Sequence, residues 1–168
     1  MSEDYLAHRP GLFVVKSISK SYGVPGCRLG IVASGDVNTI AAVRRKVPVW
    51  NINSFGEFFL QIMDKYAKDY RAGCDALAAE RNRFAADLHS LGIMDVYPSQ
   101  ANYLLCKLKH GSSRRMAEQL LAEHRILIKD LAGKDGMPEG QYVRLAVRDE
   151  ADDRRLVDAL QSMQRNPN

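Results

Sequence analysis

Three observations predict an α/β chain built in three parts. Two short apolar runs, "LFVVKSI" (12–18) and "CRLGIVAS" (27–34), are separated by turn chemistry. Helical periodicity then continues almost without interruption from residue 53 to about Leu91. After Gly92, strand and helix patterns alternate. The expected organisation is part of a sheet over residues 1–52, connecting helices over 53–91 and a small α/β domain over 92–168.

The first ten residues are polar and turn-like and close on Pro10-Gly11. Residues 12–18 form a short, β-branched, apolar run of the kind found in buried strands of parallel sheets. "YGVPG" (22–26) is a turn, because its glycines and proline take backbone shapes that other residues resist. Residues 27–34 read as a second buried strand, broken by "SGD". Asp36 is then placed to cap a helix through "VNTIAAVRRKV".

Pro48 ends that pattern, and Asn53 or Ser54 caps a new helix with Glu57 in its first turn. Phe55, Phe58, Phe59, Ile62, Met63 and Tyr66 give one apolar stripe, and Leu77, Phe84, Leu88 and Leu91 give another. Gly73 lies between them as a possible local break, but a single long helix is the better expectation. Beyond Gly92 the order is β-α-β-β-α. There is a strand within 94–108, a helix over 112–124, strands over 125–131 and 141–148, and a last helix opened by acids. A Gly-rich loop, 132–140, joins the last two strands.

The charge balance narrows the function. Lys and Arg number 24 against 20 Asp and Glu, a net +4, with no run of like charge. That is a solvated surface rather than a nucleic-acid stripe, and it leaves small anionic ligands open. Three widely spaced cysteines imply neither a disulfide framework nor a metal site. The four histidines share no spacing and are assigned no role. No apolar run approaches the roughly 18 residues that span a bilayer, so a cytoplasmic protein is expected.

The chemistry concentrates in "KSISKSYGVPGCRLG" (16–30). Lys20 stands just past the first apolar run, between two serines, with Arg28 eight residues on. A lysine amine condenses with an aldehyde when burial or a neighbouring cation favours its neutral form. Ser17, Ser19, the N–H groups of the glycine turn and the forked guanidinium of Arg28 are donors suited to a phosphate. An imine-forming lysine beside a phosphate cradle suits pyridoxal 5′-phosphate. Spacing alone leaves open the blander reading, a loop lysine and an arginine paired with a carboxylate.

"SISKSYGVPGCRLG" resembles the S-x-S-K-x-[YF]-G-x-x-G-x-R-[LIV]-G signature of class I/II pyridoxal-phosphate aminotransferases, which have the fold called type I. The likeness is nearest to histidinol-phosphate aminotransferases and threonine-phosphate decarboxylases. The resemblance implies that Lys20 is the Schiff-base and proton-shuttle residue. It further implies that Ser17 and Arg28 bind the cofactor phosphate, with Ser19 assisting. "YVRLAV" (142–147) is similar to the segment whose arginine holds the substrate α-carboxylate, which gives that role to Arg144. If Val143 and Leu145 face the core, Arg144 faces the other way. Arg148 is a candidate for a second anionic group such as a substrate phosphate. "SQANYLLCK" (99–107) and "RILIKDL" (125–131) match small-domain strands, and relatives often carry a cation at the position of Lys129. "PVWNINSF" (48–55) matches the start of the interdomain helices. There Trp50, Asn51 and Asn53 are read first as capping and packing residues, with a place at the site mouth as the alternative.

The resemblance covers nearly all of these residues but about the C-terminal half of the family's fold. The loop that also grips the phosphate, the aromatic that stacks on the pyridine ring and the aspartate that protonates it all precede the lysine strand in the family. Two readings follow. One is the lysine-bearing part of an aminotransferase acting on an amino acid or phosphorylated amino compound with a 2-oxo acid. It would be completed by a missing N-terminal half or a homodimer partner, and a phosphorylated-amino-acid decarboxylase is its variant. The other is a non-catalytic remnant serving as an interaction module.

Overall fold

In the computed structural model, which describes residues 3–165, the two apolar runs pair with each other. β1 (Phe13–Ser17) and β2 (Gly30–Ser34) form an antiparallel two-stranded ribbon, with Val15 opposite Val32 and Ser17 opposite Gly30. Burial, expected from the apolar pattern, is not found here. Val15 is 77% exposed, and Phe13, Ile31 and Val32 are exposed as well. No third strand extends the ribbon among the described residues, so side chains suited to an interior stand in the open. Two strands alone are marginal in water.

The polar lead-in is not a turn but a short helix, α1 (Glu3–Ala7). Its end lies against Gly35, where an added Cβ would come within 2.2 Å of the Leu6 carbonyl oxygen. Only a residue without a Cβ admits that contact. The next residue caps α3 (Val37–Lys46) as expected. Asp36 Oδ1 accepts the Thr39 N–H at 2.9 Å, and Oδ2 accepts the Thr39 hydroxyl at 2.6 Å. These bonds, the hydroxyl's first, hold the Asp36 carboxyl below its ordinary range.

The helical stretch is interrupted once. α4 (Ser54–Ile62) tightens into a 3₁₀ turn at Met63–Tyr66 before α5 (Ala67–Ser90) begins. Gly73 lies within α5 and does not break it. None of the described helices is long and apolar enough to cross a membrane. The chain divides into two units, between Tyr70 and Arg71.

The second unit contains the large core. Its sheet has the order β3 (Met94–Val96), β4 (Tyr103–Leu108), β6 (Tyr142–Ala146), β5 (Lys129–Asp130), every pair antiparallel. With α6 (Ser113–His124) and α7 (Glu150–Arg165) the observed order is β-β-α-β-β-α. The extra strand arises because the chain turns back through residues 97–102, where a single strand was expected. Alternation along β4 and β6 sends Leu104, Cys106, Val143 and Leu145 inward to meet Phe84 and Leu88 of α5 and Leu160 of α7. Burying each large apolar side chain is worth about 1.5–3 kcal/mol. Burial also pushes the Cys106 thiol up to about 12, so it is inert.

Two buried polar residues tie the unit together. Ser113, at the start of α6, donates its hydroxyl to Asp130 Oδ1 at 2.6 Å and its N–H to Gln141 Oε1 at 2.9 Å. Those partners flank the Gly-rich loop, so one serine closes it. Asp153 of α7, 2% exposed, accepts the Arg148 N–H at 3.1 Å and lies beside Glu80. Burial pushes its carboxyl up to about 6, whereas the Arg83 guanidinium bonded to Glu80 holds that carboxyl down.

The folded pKa of Asp153 is therefore above its ordinary 3.8. Its contribution to stability is fully present below about pH 4 and is lost as pH rises towards 6. Asp153→Asn keeps an acceptor for Arg148 and cannot ionise. It is expected to unfold at higher urea than the wild type at pH 7.5, by on the order of 2 kcal/mol. At pH 4 that advantage should disappear. Equal differences at both pH values would show that Asp153 does not titrate in this range.

Candidate functional site

The first unit positions the signature residues by folding a strand end directly into a helical turn. α2 (Ile18–Ser21) begins at its N-cap Ser17, the last residue of β1. Ile18 and Leu29 are the buried apolar residues of this corner, at 3% and 8% exposure. The Ile18 N–H bonds the Leu29 carbonyl at 3.1 Å. Tyr22 closes the turn through its N–H to the Ile18 carbonyl at 3.0 Å. Its ring stacks on Tyr70 at 4.3 Å and meets the Phe59 ring edge-on at 5.9 Å.

Ser17, Lys20 and Arg28 are exposed, while Ser19 is buried. Ser17 makes no side-chain capping bond, which leaves its hydroxyl available to a ligand. Among the described residues, the ion pairs involve neither Lys20 nor Arg28. The arginine's contact is a 3.5 Å approach of Nη1 to the Pro25 carbonyl. Arg28 also lines a cleft of about 300 Å³ with Lys16, Tyr22 and Asn51, and Ser17, Ser19 and Lys20 lie outside that lining. Trp50 is 92% exposed and does not pack, and Asn53 caps α4.

Arg144 belongs to the second unit. As the strand period requires, Val143 and Leu145 are buried and Arg144 is exposed on the opposite face of β6. It stands between Leu105 of β4 and Lys129 of β5, with its guanidinium 5.4 Å from the centre of the Tyr103 ring. No ion pair among the described residues involves Arg144 or Lys129. Two neighbouring cations and an aromatic ring on an open sheet face suit a carboxylate. Tyr103 was not singled out from the sequence, because its place under Arg144 depends on strand pairing. Arg148 lies past the end of β6, and its Nε donates to Asp152 of α7.

In the first unit, a lysine at a strand-to-helix corner, a serine hydroxyl without a capping bond and a guanidinium without an ion-pair partner among the described residues make a corner suited to an amine-and-anion chemistry. Comparison with known proteins identifies the family. Residues 3–160 match the model for "Aminotransferase class I and II", and the chain belongs to that family. Enzymes of this family use pyridoxal 5′-phosphate. The chain is 31% identical over 161 residues to threonine-phosphate decarboxylase of Salmonella typhimurium, covering 94% of this chain and 43% of the relative. A decarboxylase structure from Sulfurospirillum multivorans superimposes with a TM-score of 0.84 at 32% identity, covering 97% of this chain and 47% of that one. Histidinol-phosphate aminotransferase from Clostridium acetobutylicum gives 0.85 at 26% identity, covering 98% and 49%. The chain thus spans less than half the length of each of these proteins, and its fold corresponds to about half of a fold-type-I pyridoxal-phosphate enzyme.

Proposed function

We propose that this chain is the lysine-bearing part of a pyridoxal-phosphate-dependent enzyme that acts at Cα of a phosphorylated amino acid and releases its carboxylate as CO₂. The carrying observation is that an exposed lysine in the turn after β1 and an exposed arginine just before β2 both lack a carboxylate partner among the described residues, with Ser17 and Ser19 beside the lysine. The residues fit the cofactor, since an amine, hydroxyls and a guanidinium match an aldehyde and a phosphate on one ligand.

In this reading Lys20 Nζ would hold the cofactor through its aldehyde and would deliver to Cα the proton that replaces the departing carboxylate. The Ser17 hydroxyl and the Arg28 guanidinium hold the phosphate, and Ser19 supports them. Arg144 orients the substrate through its α-carboxylate, with Lys129 adding positive charge beside it. When bound, pyridoxal phosphate supplies a ring that accepts the electron pair left at Cα. Decarboxylation leads because the Salmonella relative is a threonine-phosphate decarboxylase and a 33% identical relative is an L-serine phosphate decarboxylase. Transamination is the second reading, favoured by the superposition on the Clostridium aminotransferase. Homodimerisation fits the exposed Trp50, Phe55 and Phe58.

The test is product analysis with pyridoxal phosphate and either L-serine phosphate or L-threonine phosphate. CO₂ and the matching phosphorylated amine in equal amounts are the expected products. Transfer of the amino group to a 2-oxo acid, without CO₂, would establish the second reading. If neither product forms and the cofactor spectrum does not change, both for the chain by itself and after addition of an N-terminal half of the family, the enzyme reading fails and a non-catalytic module remains.

A further inference from the structure

Arg28 stands at φ 52° and ψ 37°, in the left-handed region. A side chain with a Cβ disfavours that conformation, and it persists where the surroundings hold it. The arginine's own side chain contributes little, since its contact with the Pro25 carbonyl is at the outer limit of a hydrogen bond. The hold comes from the start of α4. Asn53 Oδ1 accepts the Gly56 N–H at 2.9 Å, and Asn53 Nδ2 donates to the Cys27 carbonyl at 3.1 Å. One planar amide thereby ties the helix end to the peptide group that enters Arg28.

Gly56 makes this approach possible. An added Cβ there would lie 3.2 Å from the Cys27 oxygen and 3.1 Å from Leu29 Cδ2. The residue after Arg28 is fixed as well, by the burial of Leu29 and by its carbonyl's bond to the Ile18 N–H at the lysine corner. Both flanks of the strained residue are therefore anchored. The Cys27 flank depends on a side chain that accepts with one atom and donates with another, as an amide does and a carboxylate does not.

We propose that Asn53 is a positioning residue that holds Arg28 in its left-handed conformation and so sets its guanidinium for the cofactor phosphate. The second half of this statement rests on the phosphate-binding role proposed for Arg28, and the first half does not. Asn53→Asp and Asn53→Ser both retain a good helix cap. Asp has no donor for the Cys27 carbonyl, and the shorter Ser checks the effect without added charge.

The conformational half is read by NMR of the whole 168-residue chain, from the Arg28 Cα and Cβ shifts, which report the sign of φ. Wild type should carry the left-handed signature, and both variants should lose or average it while α4 stays helical. Unchanged Arg28 shifts in both variants would overturn the proposal. The functional half is read by absorbance titration with pyridoxal phosphate and, separately, with pyridoxal, which has no phosphate. Each variant should bind the phosphate form roughly two- to tenfold more weakly, the scale of one hydrogen bond, and pyridoxal as wild type does. Equal weakening for both ligands would overturn the phosphate-specific role. Failure of the wild type to bind pyridoxal phosphate, both by itself and with an N-terminal half of the family added, would instead sink the cofactor reading and the guanidinium half with it, with the shifts still deciding the conformational half.

Discussion

Lys20→Ala is expected to abolish the long-wavelength absorption that pyridoxal phosphate gains on covalent attachment to the chain. Turnover should fall by roughly a thousandfold or more, since covalent anchoring and proton transfer are lost together. The expectation rests on placement. Lys20 is exposed in the last turn of α2, has no ion-pair partner among the described residues, and shares its corner with Ser17. Because its side chain is exposed and its corner is held by Ile18 and Leu29, its removal should leave the thermal unfolding of the first unit nearly unchanged. Lys16 is the informative comparison, since it lines the cleft with Arg28. Absorption kept in Lys20→Ala and lost in Lys16→Ala would move the anchor from the helical turn to the strand.

What was legible in the sequence, and what was not, follows from the range of each interaction. The outward aim of Arg144 follows from the two-residue period of a strand, and the caps at Asp36 and Asn53 follow from local donor and acceptor geometry. Those features need only a few neighbouring residues. The ribbon shows the opposite case. Val15 and Val32 belong to runs that look buried, yet burial requires a covering layer, and the pattern does not say where that layer lies. β5 was expected over seven residues and pairs over Lys129–Asp130, because strand length is set by the partner strand. Arg28 was identified by its place in the signature, but a left-handed arginine is invisible in a one-dimensional reading that assigns such conformations to glycine. Its support by Asn53 depends on a contact 26 residues apart in sequence.

Arg144→Ala should separate substrate binding from cofactor binding. Hydrogen bonds to charged groups are worth about 1.5–3 kcal/mol, so the KM for the phosphorylated amino acid should rise by roughly tenfold or more. The free chain should fold as before, because Arg144 is exposed and its neighbours Val143 and Leu145 keep the core contacts of β6. Loss of the contact with the Tyr103 ring is a small term at such an exposed position. Arg144→Lys should fall between wild type and Ala, since an ammonium keeps the charge but gives up the fork that grips both carboxylate oxygens. Cofactor absorption without substrate should be the same in all three proteins, because Lys20, Ser17 and Arg28 are untouched. An amine that lacks the carboxylate should bind all three alike. If it too binds Arg144→Ala more weakly, or if the cofactor absorption itself disappears, Arg144 is not the carboxylate ligand. In that case the cationic face it shares with Lys129 serves another part of the substrate.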